Sequence, residues 1–151
     1  GFQLLAEAMR QADEPDAIDG PGDRPPHAGT GTGTGDPMVD LQRCGHAYRQ
    51  FALSHATLYA VMFDRVVADY EPSAAAMAAG LATLDQLAER LSRAMDRGQL
   101  RRIDPAHAAA IVWSTCHGVM SLELKHDGRI PIDWQQVFDD ATAAVLRGLA
   151  T

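Results

Sequence analysis

Apolar side chains recur every three or four residues along most of the sequence, a periodicity that leaves room for little besides α-helix. After Asp36-Pro37, where proline suits a first helical turn, Val39, Leu41, Cys44, Tyr48, Phe51, Ala52 and His55 keep this spacing over about five turns. Ala56 to Val67 carries Leu58, Tyr59, Val61, Met62, Phe63 and Val66, apolar on nearly every side, and reads as a short buried helix ending before Glu71-Pro72. Ser73 caps a helix with the stripe Met77, Leu81, Leu84, Leu87, Ala88, Leu91 and Met95; Arg90, Arg93 and Arg97 lie near its negative pole and Gly98 closes it. Asp104-Pro105 opens another, through Ile111, Trp113, Cys116, Val119, Met120, Leu122 and Leu124 to His126, stopped by Asp127-Gly128. Asp133 caps the last, with Trp134, Val137, Phe138, Ala141, Ala144, Val145 and Leu149 on one broad stripe. Alanine abounds and no alternating strand of useful length occurs, so the expected fold is all-α, a bundle of about six helices.

The periodicity breaks once. Residues 13–37 hold eleven Gly or Pro in 25 positions and six acids (Asp13, Glu14, Asp16, Asp19, Asp23, Asp36) against Arg24, and read as a solvated linker or loop. The Gly-Thr alternation from Gly29 to Gly35 is no phosphate cradle, because no strand precedes it and no lysine follows. Before it, residues 1–12 place Phe2, Leu5, Ala6, Met9 and Ala12 at helical spacing with no capping residue ahead. They read as a helix entered midway, the end of a connecting helix from an upstream part of the natural polypeptide. Residues 38–151 form the third unit, the folded domain proper.

A length of 151 residues favours one domain with a core that needs no disulfide. Cys44 and Cys116 are isolated on helical patterns, without the density of a secreted scaffold or a metal knuckle, which points to a reducing cytoplasm. Neither a membrane span nor a signal peptide is legible. The net charge of −7 argues against this chain gripping a phosphate backbone itself.

Catalytic chemistry finds no clear home. None of the six histidines forms an HExxH pair, and His117 in the most apolar helix reads first as a buried, hydrogen-bonded structural group. Cys116 and His117 are neighbours on one helix and point about 100° apart, a poor nucleophile and base pair. Glu123 in the same helix needs a partner or water. Without nucleophile elbow, paired carboxylates, phosphate loop or cofactor fingerprint, no enzyme, metal or cofactor is implied, and a binding module is the better expectation.

Two surfaces carry that expectation. Ala110, Ser114, Gly118 and Ser121 are small and adjacent at helical spacing, and Val137, Ala141, Ala144, Val145 and Gly148 form a matching stripe on the last helix. They suit a homodimer interface of two helices from each subunit, the alternative being an ordinary monomer core. Tyr48, Phe51, Leu58, Tyr59, Met62, Phe63, Met77, Leu81, Trp113 and Met120 are bulky and adaptable; they either wall an apolar ligand cavity or fill a plain core.

Two segments carry a resemblance: Ala47-Tyr48-Arg49-Gln50-Phe51-Ala52-Leu53-Ser54-His55 running into Leu58-Tyr59 and Met62-Phe63, and Trp113-x-x-x-His117-Gly118-x-x-x-Leu122-Glu123-Leu124. Together they resemble the C-terminal domain of TetR-family transcriptional regulators, in the subgroup named for its Trp, His and Gly motif, over about residues 40–150. The sequence departs from that family at Ala56, where proline often follows the histidine, and in the length of residues 13–37. The resemblance implies that this part binds a small apolar or amphipathic effector and dimerises. Helix 1–12 would then match the connecting helix from an N-terminal helix-turn-helix, which alone would touch operator DNA. It also implies that Trp113 and His117 sit on the pocket and interface helix. The runner-up is a helical dimerisation module with a filled core and no effector; a small enzyme using Cys116 and His117 comes third.

Overall fold

A computed structural model describes residues 1–13, 35–64, 73–126 and 128–151. Among them are six helices: α1 (Phe2–Gln11), α2 (Pro37–Ser54), α3 (Ala56–Phe63), α4 (Ala74–Asp96), α5 (Pro105–His126) and α6 (Trp134–Leu149). The all-α expectation holds, and the ends of α2, α4, α5 and α6 fall where the sequence signals them. Asp36, Ser73, Asp104 and Asp133 each accept a hydrogen bond from a backbone N–H of the following first turn, at 3.0, 3.2, 3.1 and 3.0 Å, so the four caps satisfy otherwise unpaired donors. Gly98 adopts φ 72°, and the N–H of Gln99 reaches back to the Ala94 carbonyl at 3.0 Å to close α4.

Helix α4 packs between α1 and α5, α6 lies against α5, and α2 crosses α1, α4 and α5. Phe138, Leu5, Leu91, Leu100 and Met120 are fully buried where these helices meet. The α4–α5 connection is tied to the end of α6 by Arg101 N–H donating to the Leu149 carbonyl at 2.9 Å.

Three expectations change. Helix α3 is not a buried helix: Tyr59 is its one buried residue and Val61 is 57% exposed, because the helix lies at the edge of the bundle with Tyr59 and Phe63 turned towards α1 and α5 and Val61 turned away. Val66 and Val67, expected to prolong it, lie outside the described residues. Asp13, assigned to the solvated segment, is buried: Arg90 of α4 donates to both its carboxylate oxygens, at 3.2 and 2.6 Å, and to the Met9 carbonyl at 2.8 Å. At the far end of that segment, Asp36 and Pro37 are the N-cap and first residue of α2, and residues 14–34 between lie outside the described residues. Arg90, expected to act on the helix pole, instead fastens the C-terminal end of α1 to α4.

Helix α5 is buried along Ala108, Ala109, Val112, Cys116 and Met120, while Ser114, Gly118 and Leu122 are exposed on its other side. The single chain therefore covers only part of its circumference.

Candidate functional site: an apolar cavity among the helices

Between the helices lies a cavity of about 740 Å³ to which all six contribute. Its walls follow from the stripes. From α1 come Phe2, Leu5 and Met9, three residues spaced by three and four that face α4. Helix α2 supplies Leu41, Cys44 and Tyr48 on one face, α4 supplies Met77, Leu81, Leu84 and Leu87, and α5 supplies Val112, Trp113 and Cys116. Met77 and Leu81 are 54% and 58% exposed, so the cavity opens to solvent along α4. An aromatic cluster joins three helices: the Phe63 ring packs edge-on against Phe2 at 5.4 Å and tilted against Trp113 at 6.1 Å. Phe2 also lies over Gly80 of α4, where a Cβ would sit at ordinary van der Waals distance, 3.5 Å, from the ring.

Of the ten bulky residues expected around a ligand, and His117 expected beside them, Tyr48, Met62, Phe63, Met77, Leu81 and Trp113 line the cavity, while Leu58 packs against the core instead. Phe51, Tyr59, His117 and Met120 do not line it either. Each sits one helical turn from a lining residue (Phe51 from Tyr48, Tyr59 from Met62, His117 from Trp113, Met120 from Cys116), and that turn carries it past the end of the space. Phe51 and Met120 are core residues there, at 4% and 0% exposure. Tyr59 and His117 form a polar chain that begins on the cavity wall. The Tyr48 and Tyr59 hydroxyls are 2.7 Å apart, the Tyr59 hydroxyl is 2.7 Å from His117 Nδ1, and His117 Nε2 is 3.2 Å from Ser121 Oγ. A neutral ring protonated on Nε2 satisfies this chain, accepting from Tyr59 and donating to Ser121. Burial holds the His117 pKa below its usual value of 6.5, the desolvation outweighing attraction from Asp64. Burial raises Tyr48 strongly and Tyr59 to about 12, so both phenols keep their protons.

Cys44 and Cys116 both face the cavity, and burial pushes their thiols up to about 11 and about 12. Protonated thiols are apolar wall groups rather than nucleophiles. His117, bonded to Tyr59 and Ser121, is not partnered with Cys116. Among the described residues no group of three His, Cys, Asp or Glu is placed to hold a metal ion.

Sequence reasoning missed the α1 wall and the inner edge of α6. The latter brings Phe138, Asp139, Asp140, Thr142, Ala143 and Leu146 to the cavity, and α2 adds Gln42, Gly45 and His46. On α6 the apolar stripe was legible but was read as an interface alone; a helix that borders two spaces shows one broad stripe for both. Glu123 finds its partner in Arg49, whose Nη2 donates to it at 2.7 Å while the guanidinium lies 5.9 Å over the Phe138 ring.

The residues expected to pair two subunits all lie on α5 and α6. Ser114, Gly118, Val137, Ala144 and Gly148 are exposed in the single chain, and Ala110, Ser121, Ala141 and Val145 are half-buried. Among the described residues no helix is long and apolar enough to cross a membrane.

Comparison with known proteins places this geometry. A protein of unknown function from Rhodococcus sp. RHA1 has a similar fold, with a TM-score of 0.75 and 21% identity over 99% of this chain and 68% of that one. None of the curated proteins matches the sequence. The family described as tetracyclin repressor-like, C-terminal domain, matches residues 41–145, from the cavity face of α2 to the last turns of α6. The chain belongs to the TetR-like C-terminal domain family.

Proposed function

We propose that this chain is the effector-binding and homodimerising part of a ligand-responsive transcriptional regulator, a repressor acting in the cytoplasm. The observation that carries the reading is the 740 Å³ apolar cavity, within the size range that encloses a small organic molecule. Family membership supports the regulator class, and the cavity counts against a filled-core dimerisation module.

Helix α1 gives the cavity a consequence. Phe2, Leu5 and Met9 touch the space, and the Arg90–Asp13 pair holds the other end of the same helix, so an occupant acts on α1 against a fixed point. In this reading α1 continues into an N-terminal helix-turn-helix that binds operator DNA. The ligand favours one orientation of the helix, and it changes DNA affinity only by the difference in its own affinity for the two states. The partly uncovered faces of α5 and α6 pair with a second copy and couple two such heads.

Native mass spectrometry of the purified chain tests both claims. The expected result is a dimer carrying a small-molecule adduct; a bare monomer overturns the reading. Trp113→Ala is expected to lose the adduct and keep the dimer. Val145→Asp and the exposed-site Ala144→Asp are expected to give folded monomer.

A further inference from the structure

The charge distribution around the cavity selects the class of occupant. We infer that its ligand is an apolar organic cation, an amine or quaternary ammonium on a hydrocarbon or aromatic body; the inference rests on the effector-binding reading. Among the described residues the lining holds no lysine and no arginine and its one basic side chain is His46, whereas Asp139 and Asp140 both border it. Two guanidiniums close to the core are committed elsewhere, Arg90 to Asp13 and to the carbonyls of Met9 and Gln86, and Arg49 to Glu123. An anionic head would therefore meet no ammonium or guanidinium on the described lining and two carboxylates at its edge.

Asp140 takes no hydrogen bond or ion pair among the described residues. Asp139 accepts from Gln135 at 3.0 and 3.1 Å and stands 3.4 Å from His46 Nε2. A carboxylate a few ångströms from a charged head, discounted for solvent screening at an exposed rim, still separates the two signs of charge by about tenfold in affinity. The Phe2, Phe63 and Trp113 rings add faces suited to an alkyl chain or a cation.

The test is calorimetric titration of the full chain with three probes of one chain length: decyltrimethylammonium, decanol and decanoate, each below its micellar concentration. The expected order is cation over alcohol over carboxylate, with at least tenfold between first and last. Asp139→Asn/Asp140→Asn, at two positions the core does not use, is expected to weaken the cation about tenfold, leave decanol unchanged and tighten decanoate. Equal binding of the three, or preference for decanoate, overturns the cation assignment while the cavity reading stands. Binding of none by the folded chain overturns both.

Discussion

Asp13 and Arg90 are the pair on which the position of α1 depends. Their side chains are 9% and 3% exposed, and the guanidinium also serves two backbone carbonyls. Removing one partner strands a buried charge, so Asp13→Ala is expected to lower the unfolding free energy by about 3 kcal/mol in chemical denaturation. His117 gives a second residue-scale prediction. Its folded pKa is lowered, so below 6.5 the unfolded chain takes up the proton before the folded one does. Its contribution to stability is full above 6.5 and is lost as pH falls from there towards the folded value. The melting temperature is expected to decline over that window, and His117→Phe to flatten the decline, as scanning fluorimetry across the pH range will show.

At the scale of the element, helices stop and start where single side chains allow it. Asp133 caps α6 through the Gln136 N–H, and Asp133→Ala is expected to cost about 1 kcal/mol, measured by denaturant titration. Gly98→Ala is expected to cost about the same, because φ 72° forces a Cβ against the following carbonyl. The six helices were legible for this reason: caps, breakers and a 3.6-residue period act within one turn and are written locally. Helix α3 shows the limit. Its composition is apolar all round, yet Val61 is exposed, since burial depends on which neighbours arrive and not on the helix itself.

At the scale of the molecule, the cavity is a space that six helices enclose without filling. Leu84→Trp, from its wall, is expected to reduce ligand affinity more than tenfold without loss of stability, which titration and thermal melting together will show. A ligand at a hundred times its Kd stabilises by about 2.7 kcal/mol, and for a domain of this size that raises the melting temperature by about 5–10 °C. The decyltrimethylammonium melt is a direct check.

The sequence by itself determined the helices, their order and the family, because periodicity, caps and the spaced Trp113, His117 and Gly118 are properties of neighbouring residues. It also marked six of the residues that wall the cavity. Only the tertiary structure decided where that cavity ends. A stripe of large apolar side chains is the same whether it meets another stripe or an empty space, and one helical turn separates Trp113 on the wall from His117 in the polar chain beyond it. The tertiary structure also brought Asp13 to Arg90, 77 positions away, and Arg49 to Glu123, 74 positions away. Such pairs leave no local signal, since the sequence records each charge while its burial and its partner come from the packing of whole helices.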